Sequence, residues 1–261
     1  REGAKNFKDI VTYCREIGIK YITFYAFSTE NWKRPTDEVN TLMKLFKQYI
    51  ADARNYFKNE IRFQFLGDKA VFTPDLREDM IALEEDSKHF DKMTVLMAVN
   101  YGGRDDIVHA CKSICKKVAD GQLSIDQIDE DSFEKELYTL DAPPVDLLIR
   151  TSNEYRISNF LLWQCAYAEF YFTSVFWPDF NRTELTKALI SSAVGIAIGI
   201  LVMIFSDTLL LNVVVAGICV IMLHELFSAE KCTDCKVITY MCYGIVILMP
   251  FLLYNSIHAL N

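Results

Sequence analysis

An α/β fold is predicted here: a parallel sheet flanked by helices, followed by an all-α transmembrane segment of about three helices. Three observations predict it. Short runs rich in aromatic and β-branched residues alternate with longer runs of helical spacing, the pattern of a parallel sheet covered on both faces. Charge is unevenly placed: up to Thr186 the chain carries 24 Lys and Arg against 31 Asp and Glu, and from Lys187 onward three Lys against four acids. After Phe180 come three uncharged apolar runs, Ala188 to Phe205, Thr208 to Leu223 and Val237 to Leu253. The chain therefore divides into an acidic domain, residues 1–186, and a membrane segment, residues 187–261.

The elements of the first part follow in order. Asn6 to Ile17 has helical spacing and stops at Gly18. Tyr21 to Phe27 reads as a buried strand. Val39, Leu42, Met43, Phe46, Ile50, Ala53 and Phe57 fall on one helical face. Ile61 to Leu66 is a strand ending at Gly67, and Thr73-Pro74 opens a helix with Thr at the cap and Pro in the first turn. Met93 to Val99 is another buried strand. The Gly102-Gly103 turn leads into a helix carrying Ile107, Cys111, Ile114, Cys115 and Val118. Val145 to Ile149 is a further strand. In such sheets ligands sit beyond the carboxyl ends of the strands. Three polar segments leave strand ends: Ser28 to Arg34, Asn100 to Arg104 and Arg150 to Ser158.

Each apolar run of the tail reaches or nearly reaches the roughly 20 residues of a membrane span once neutral flanks are counted. Lys187 precedes the first, and Lys231 and Lys236 lie between the second and third. Positive-inside logic sets these, and the N-terminal domain, on the cytoplasmic side, with the Ser206-Asp207 turn outside. Cys14, Cys111, Cys115 and Cys165 read as small core residues of a reducing compartment. Cys232 and Cys235 form a lone C-x-x-C, weak evidence for zinc or redox work beside the plainer reading of two free thiols in a loop. The acidic balance argues against nucleic acid, which needs a basic face. An anionic ligand is not excluded, because a few arginines converging on a cleft make a local positive field.

Two segments carry the candidate chemistry. Ser28-Thr29-Glu30-Asn31-Trp32-Lys33-Arg34-Pro35 sets hydroxyls, an amide, an indole and two cations in eight residues. A solvated turn is the plain reading, yet Trp32 in so polar a stretch needs something to pack against. Arg150 to Phe160 brings two arginines and two serines beside a strand end. They suit a diphosphate, since Arg forks match phosphate oxygens bidentately, and they suit surface salt bridging as well. Glu169 stands alone in an apolar run, as a magnesium ligand or in an ion pair with an arginine.

YAFSTENWKRP (Tyr25–Pro35), NYGGRDDI (Asn100–Ile107), LLIRTSNEYRISNFLLWQCAYAEFYF (Leu147–Phe172) and WPDF (Trp177–Phe180) resemble, in order, the motifs of the cis-prenyltransferases, undecaprenyl diphosphate synthase above all. The resemblance covers about residues 1–186. It implies condensation of isopentenyl diphosphate with farnesyl diphosphate, using Mg2+, by a homodimer. It also implies that Ser28, Thr29, Glu30, Trp32 and Arg34 line the allylic side and that Asn31 abstracts or positions a proton. Arg150, Arg156, Ile157 and Ser158 then take isopentenyl diphosphate, Glu169 is a magnesium ligand, and the helix from Glu38 to Phe57 walls a tunnel for the growing chain. In that family a strand and a D-G-N-G-R-W loop come first, and neither is in this sequence. Without that strand a sheet edge or an apolar groove is expected. Asn153 stands where the family commonly has Gly.

The tail, about residues 188–261, resembles the start of phosphatidate cytidylyltransferase through LISSAVGIAIGILVMIF and MLHELFSAEK. A fusion with a join near Leu185–Leu189 is implied. Two rivals stand beside a membrane-tethered prenyltransferase: a catalytically inactive scaffold or partner subunit, and a fragment of a membrane cytidylyltransferase.

Overall fold

The computed structural model describes residues 2–140 and 142–204, with the isolated positions 217 and 220. The second and third apolar runs and the Cys232/Cys235 pair otherwise lie outside the described residues. The chain divides into two units, residues 1–192 and 193–261. The first holds every strand among the described residues.

Helix α1 (Glu2–Glu16) buries Ile10, Val11 and Cys14, one stripe of its surface, and ends at Gly18, whose φ of +86° suits glycine. Strand β1 (Tyr21–Ser28) follows. Helix α2 (Thr36–Ala53) stops short of Phe57, whose side chain is not described. Strand β2 (Ile61–Leu66) and helix α3 (Pro74–Ser87) come next, the latter opened by Thr73 and Pro74 as predicted. Strand β3 (Met93–Tyr101) leads into α4 (Gly103–Ala119). After the short helix α5 (Glu130–Glu134) come β4 (Leu147–Arg150) and β5 (Glu169–Phe172). Helix α6 (Arg182–Ile204) ends the described chain.

All strand pairs are parallel, as expected, but they form two sheets: β1-β3-β2 and β4-β5. Among the described residues nothing pairs with the outer edge of β1 or of β4, and both strands line one cleft. Central β3 is apolar on both faces. Met93, Val95 and Val99 join a core with α1, α2 and α3, while Leu96, Ala98 and Tyr101 pack with Leu66, Leu148, Leu161 and Cys165.

Two expectations need correction. Cys111 and Cys115 are exposed, not core, because the buried stripe of α4 is Gly103, Asp106, Ala110 and Ile114. Asp106 is tolerated there by hydrogen bonds from the Tyr101 hydroxyl (2.8 Å), the Tyr138 N–H (2.8 Å) and the Gln164 amide (3.1 Å). The apolar run around Glu169, read without a strand, contains β5. As for the tail, no helix among the described residues is long and apolar enough to cross a membrane.

Candidate active site

The three polar segments meet at the carboxyl ends of the strands. After β1, Thr29–Lys33 forms a 3-10 turn. The Asn31 carboxamide oxygen accepts from the Ser28 N–H at 2.9 Å, which closes the turn on itself. Trp32 has found its packing. Its ring lies 5.0 Å from Phe27 and 5.9 Å from Phe72, and its indole N–H donates to Asn100 Oδ1 at 2.7 Å. The turn is therefore anchored to the end of β3. Gly102 sits in the same junction. A Cβ there would lie 2.7 Å from Asn159 Nδ2 and 2.9 Å from Thr29 Oγ1, so any side chain would have to displace both.

On the β4 side, the Arg150 carbonyl accepts from Thr173 N–H at 3.0 Å, which ties the strand end to the segment after β5. Ser152, Asn153, Ser158 and Asn159 then adopt left-handed φ values of 70°, 56°, 50° and 63°. Asn153 thus holds a conformation that glycine favours and Asn tolerates, which accounts for its standing in for glycine.

A pocket of about 550 Å³ is lined by Tyr25, Ser28, Glu30, Asn31, Arg34, Arg150, Ser158 and Asn159. Arg34 is held by Glu38 at 2.5 Å. Arg150 Nε is buried without a hydrogen-bond partner among the described residues. A buried charged donor left in this state is a site waiting for an acceptor. Burial pushes the Glu30 carboxyl up, but hydrogen bonds from its own N–H, Ser28, Asn159 and Thr29 outweigh it and hold the group below the usual range. Tyr25 is pushed up to about 12, first by burial and then by the charge of Glu30, so it is a neutral phenol across the physiological range.

Tyr25 and Arg150 also line a second, larger cleft of about 1460 Å³. Its walls are apolar: Phe7, Phe24, Leu42, Met43, Phe46, Tyr49, Phe65 and Met97 are among them. Helix α2 supplies one wall, as predicted. Ordinary small-molecule sites enclose roughly 300–1,000 Å³. A pocket with two arginines and three hydroxyls that shares Tyr25 and Arg150 with a larger, mostly apolar cleft suits an amphiphile with an anionic head and a long hydrocarbon tail.

Of the residues singled out from sequence, Ser28, Glu30, Asn31, Arg34, Arg150 and Ser158 line the small pocket, and Ile157 lines the cleft. Thr29 packs behind against Gly102, and Trp32 turns to Asn100. Arg156 and Glu169 are not brought together with them. Arg156 is exposed and pairs with Glu154 at 2.9 Å. Glu169 opens β5 opposite Leu147, three positions before the pair Arg150 and Phe172. Among the described residues no three His, Cys, Asp or Glu side chains are grouped to hold a metal ion. Tyr25 and Asn159 line the pocket and were not anticipated. Tyr25 hides in a strand whose apolar character masks its hydroxyl, and Asn159 stands beside Ser158 among apolar neighbours, where nothing local singles it out.

Comparison with known proteins agrees with this geometry. Residues 1–193 match the family model described as putative undecaprenyl diphosphate synthase. An isoprenyl transferase of Clostridium perfringens is 47% identical over 72% of this chain and 75% of its own. The ditrans,polycis-undecaprenyl-diphosphate synthase of Pasteurella multocida, described as (2E,6E)-farnesyl-diphosphate specific, is 46% identical over 73% of this chain and 80% of its own. Among solved structures, lavandulyl diphosphate synthase from Lavandula x intermedia, in complex with dimethylallyl diphosphate, superposes with a TM-score of 0.71 at 38% identity, covering 73% of this chain and 83% of that one. A probable undecaprenyl diphosphate synthase from Campylobacter jejuni gives 0.67 at 34% identity, covering 74% and 88%. With the family model matched over residues 1–193 and these identities over most of each relative, the chain belongs to the undecaprenyl diphosphate synthase family of prenyltransferases.

Proposed function

We propose that this chain condenses isopentenyl diphosphate with an allylic diphosphate, farnesyl diphosphate, to make a long cis-polyprenyl diphosphate. One observation carries the reading: Arg150, whose buried Nε has no hydrogen-bond partner among the described residues, lines both the polar pocket and the larger cleft. The head group of a prenyl diphosphate needs the first, its tail the second.

In this reaction the allylic C–O bond breaks and its electrons leave with diphosphate. The isopentenyl double bond forms the new C–C bond, and a proton is lost. Arg34 and Arg150 stabilise diphosphate charge in a pocket whose dipoles are already set. Ser28 and Ser158 add hydroxyl donors. The Asn31 oxygen is taken by the Ser28 N–H, which leaves its amide nitrogen to donate. Through that nitrogen Asn31 positions a diphosphate oxygen, while its oxygen keeps one further lone pair. Tyr25, a neutral phenol whose O–H donates to the Tyr101 carbonyl at 3.1 Å, lines both the pocket and the cleft and can offer only its oxygen as an acceptor. The cleft then holds the tail and keeps water from the cation.

Magnesium belongs to this reading through family resemblance. Such ions are commonly held by one or two carboxylates plus substrate phosphates. The pocket supplies Glu30 alone, already engaged in hydrogen bonds, and Glu169 is not among its lining residues. The residues present do not form a metal site by themselves. A homodimer fits the exposed Tyr155, Tyr167 and Phe170 around β5, which a second copy would cover. The apolar runs after residue 187 would hold the domain on the cytoplasmic face of a membrane. Alkaline extraction leaving the chain in the membrane fraction is expected, and release into the supernatant overturns that part.

Incubation of the purified chain with farnesyl and isopentenyl diphosphates plus magnesium tests the activity. Products longer than farnesyl are expected. Diphosphate binding with no elongation would favour the inactive scaffold instead.

A further inference from the structure

Asn159 joins three segments at the head of the cleft. Its backbone carbonyl accepts from the Gly103 N–H at 2.6 Å, and its carboxamide oxygen accepts from the Arg104 N–H at 2.9 Å. Its carboxamide nitrogen donates to Glu30 Oε1 at 3.0 Å. The loop after β4, the start of α4 and the turn after β1 are thereby held by one residue. Its φ of 63° is left-handed, a conformation Asn adopts more readily than most residues. The fit is close, because even a methyl group at Gly102 would strike Asn159 Nδ2.

Two of the three joined segments line the pocket, through Glu30 and Asn31 on one side and Ser158 on the other. We propose that Asn159 is a positioning residue that sets the distance between the two diphosphate-binding loops, and hence the alignment of the two substrates. This rests on the prenyl-transfer reading above. The Glu30 bond carries the function, because it spans the pocket from loop to loop. The Arg104 bond anchors Asn159 to the rigid start of α4.

The two bonds can be separated. Asn159→Asp keeps an acceptor for the Arg104 N–H, at a helix N-terminus that favours a carboxylate. It replaces the donor to Glu30 with a repelling charge. Adding Glu30→Gln restores the bond with donor and acceptor exchanged, at the original net charge. Adding Glu30→Ala removes the same charge and cannot restore it. The measurements are kcat/KM for both substrates, affinity for inorganic pyrophosphate, and thermal unfolding.

The expected result is a loss of roughly tenfold to a hundredfold for Asn159→Asp, the scale of a small misplacement of reacting groups. Recovery is expected with Glu30→Gln and not with Glu30→Ala, and Asn159→Asp alone should unfold about 2–4 °C lower, the cost of one lost hydrogen bond in a domain of this size. Equal recovery by both would reduce the effect to charge and overturn the proposal, as would an unimpaired Asn159→Asp. If the unmodified chain makes no product, the prenyl-transfer reading fails by itself. The pyrophosphate affinities of the same variants still judge the latch.

Discussion

Replacing Arg150 by Ala should move ligand affinity and ligand-free stability in ways that differ in size and cause. Arg150 ends β4, and its backbone is held through its carbonyl by the Thr173 N–H, a bond that the substitution leaves in place. Its Nε is buried and makes no hydrogen bond among the described residues. A charge-assisted hydrogen bond to a diphosphate oxygen is worth about 1.5–3 kcal/mol. At about 1.4 kcal/mol per decade, affinity for isopentenyl diphosphate or pyrophosphate should fall roughly ten- to a hundredfold. In the ligand-free chain, an unsatisfied buried donor costs on the order of 1–3 kcal/mol, and its removal offsets the packing lost with the side-chain stem. The unfolding temperature should therefore stay within about 4 °C, what 1 kcal/mol amounts to in a domain of this size. Calorimetric titration with pyrophosphate, paired with a thermal scan without ligand, reads both. Unchanged affinity would remove Arg150 from the site. A large fall in unfolding temperature would show that the guanidinium serves the fold instead.

Other expectations follow from the same contacts. Trp32→Phe keeps the ring packing on Phe27 and Phe72 but loses the bond to Asn100, so thermal unfolding should register a cost of about 1 kcal/mol. Mass-spectrometric mapping after brief thiol labelling should find Cys111 and Cys115 modified and Cys14 and Cys165 protected, since burial pushes the latter thiols up to about 12 and about 11. Labelling of Cys14 at the rate of Cys111 would contradict the packing of α1.

Residues whose signal is local were legible in the sequence. β2 matches its predicted bounds of Ile61 to Leu66, where apolar residues alternate with Arg62 and Gln64, and β3 extends the predicted Met93 to Val99 by two residues, since a nearly unbroken apolar run in a buried parallel strand leaves few other readings. Strand β5 escaped because its four residues continue an apolar run and begin with Glu169. Cys111 and Cys115 were misplaced because Asp106 belongs to the buried stripe of α4, satisfied by partners as distant as Gln164. No local pattern announces a carboxylate buried in that way. The same holds for the site. Residue types and motif order pointed to six of the eight pocket residues. The separation of Arg156 and Glu169 from them depends on β5 register and on an exposed pairing with Glu154, which only the fold determines.

An acidic domain that binds polyanions sets a further condition. Residues 1–186 carry seven more acids than bases, so a diphosphate approaching from solvent is repelled until it reaches Arg34 and Arg150. The repulsion is long-range and the attraction short-range. Salt at about 0.1 M screens charges beyond roughly 10 Å while leaving partly buried contacts largely intact. Raising ionic strength from about 0.01 to 0.1 M should then leave the association rate of pyrophosphate unchanged or increase it. A protein whose whole face is basic loses association rate steeply over the same range. Stopped-flow association measured across that range decides the sign. A steep decline would mean that the attractive field extends well beyond the two arginines, and that more of the surface guides the ligand than this pocket.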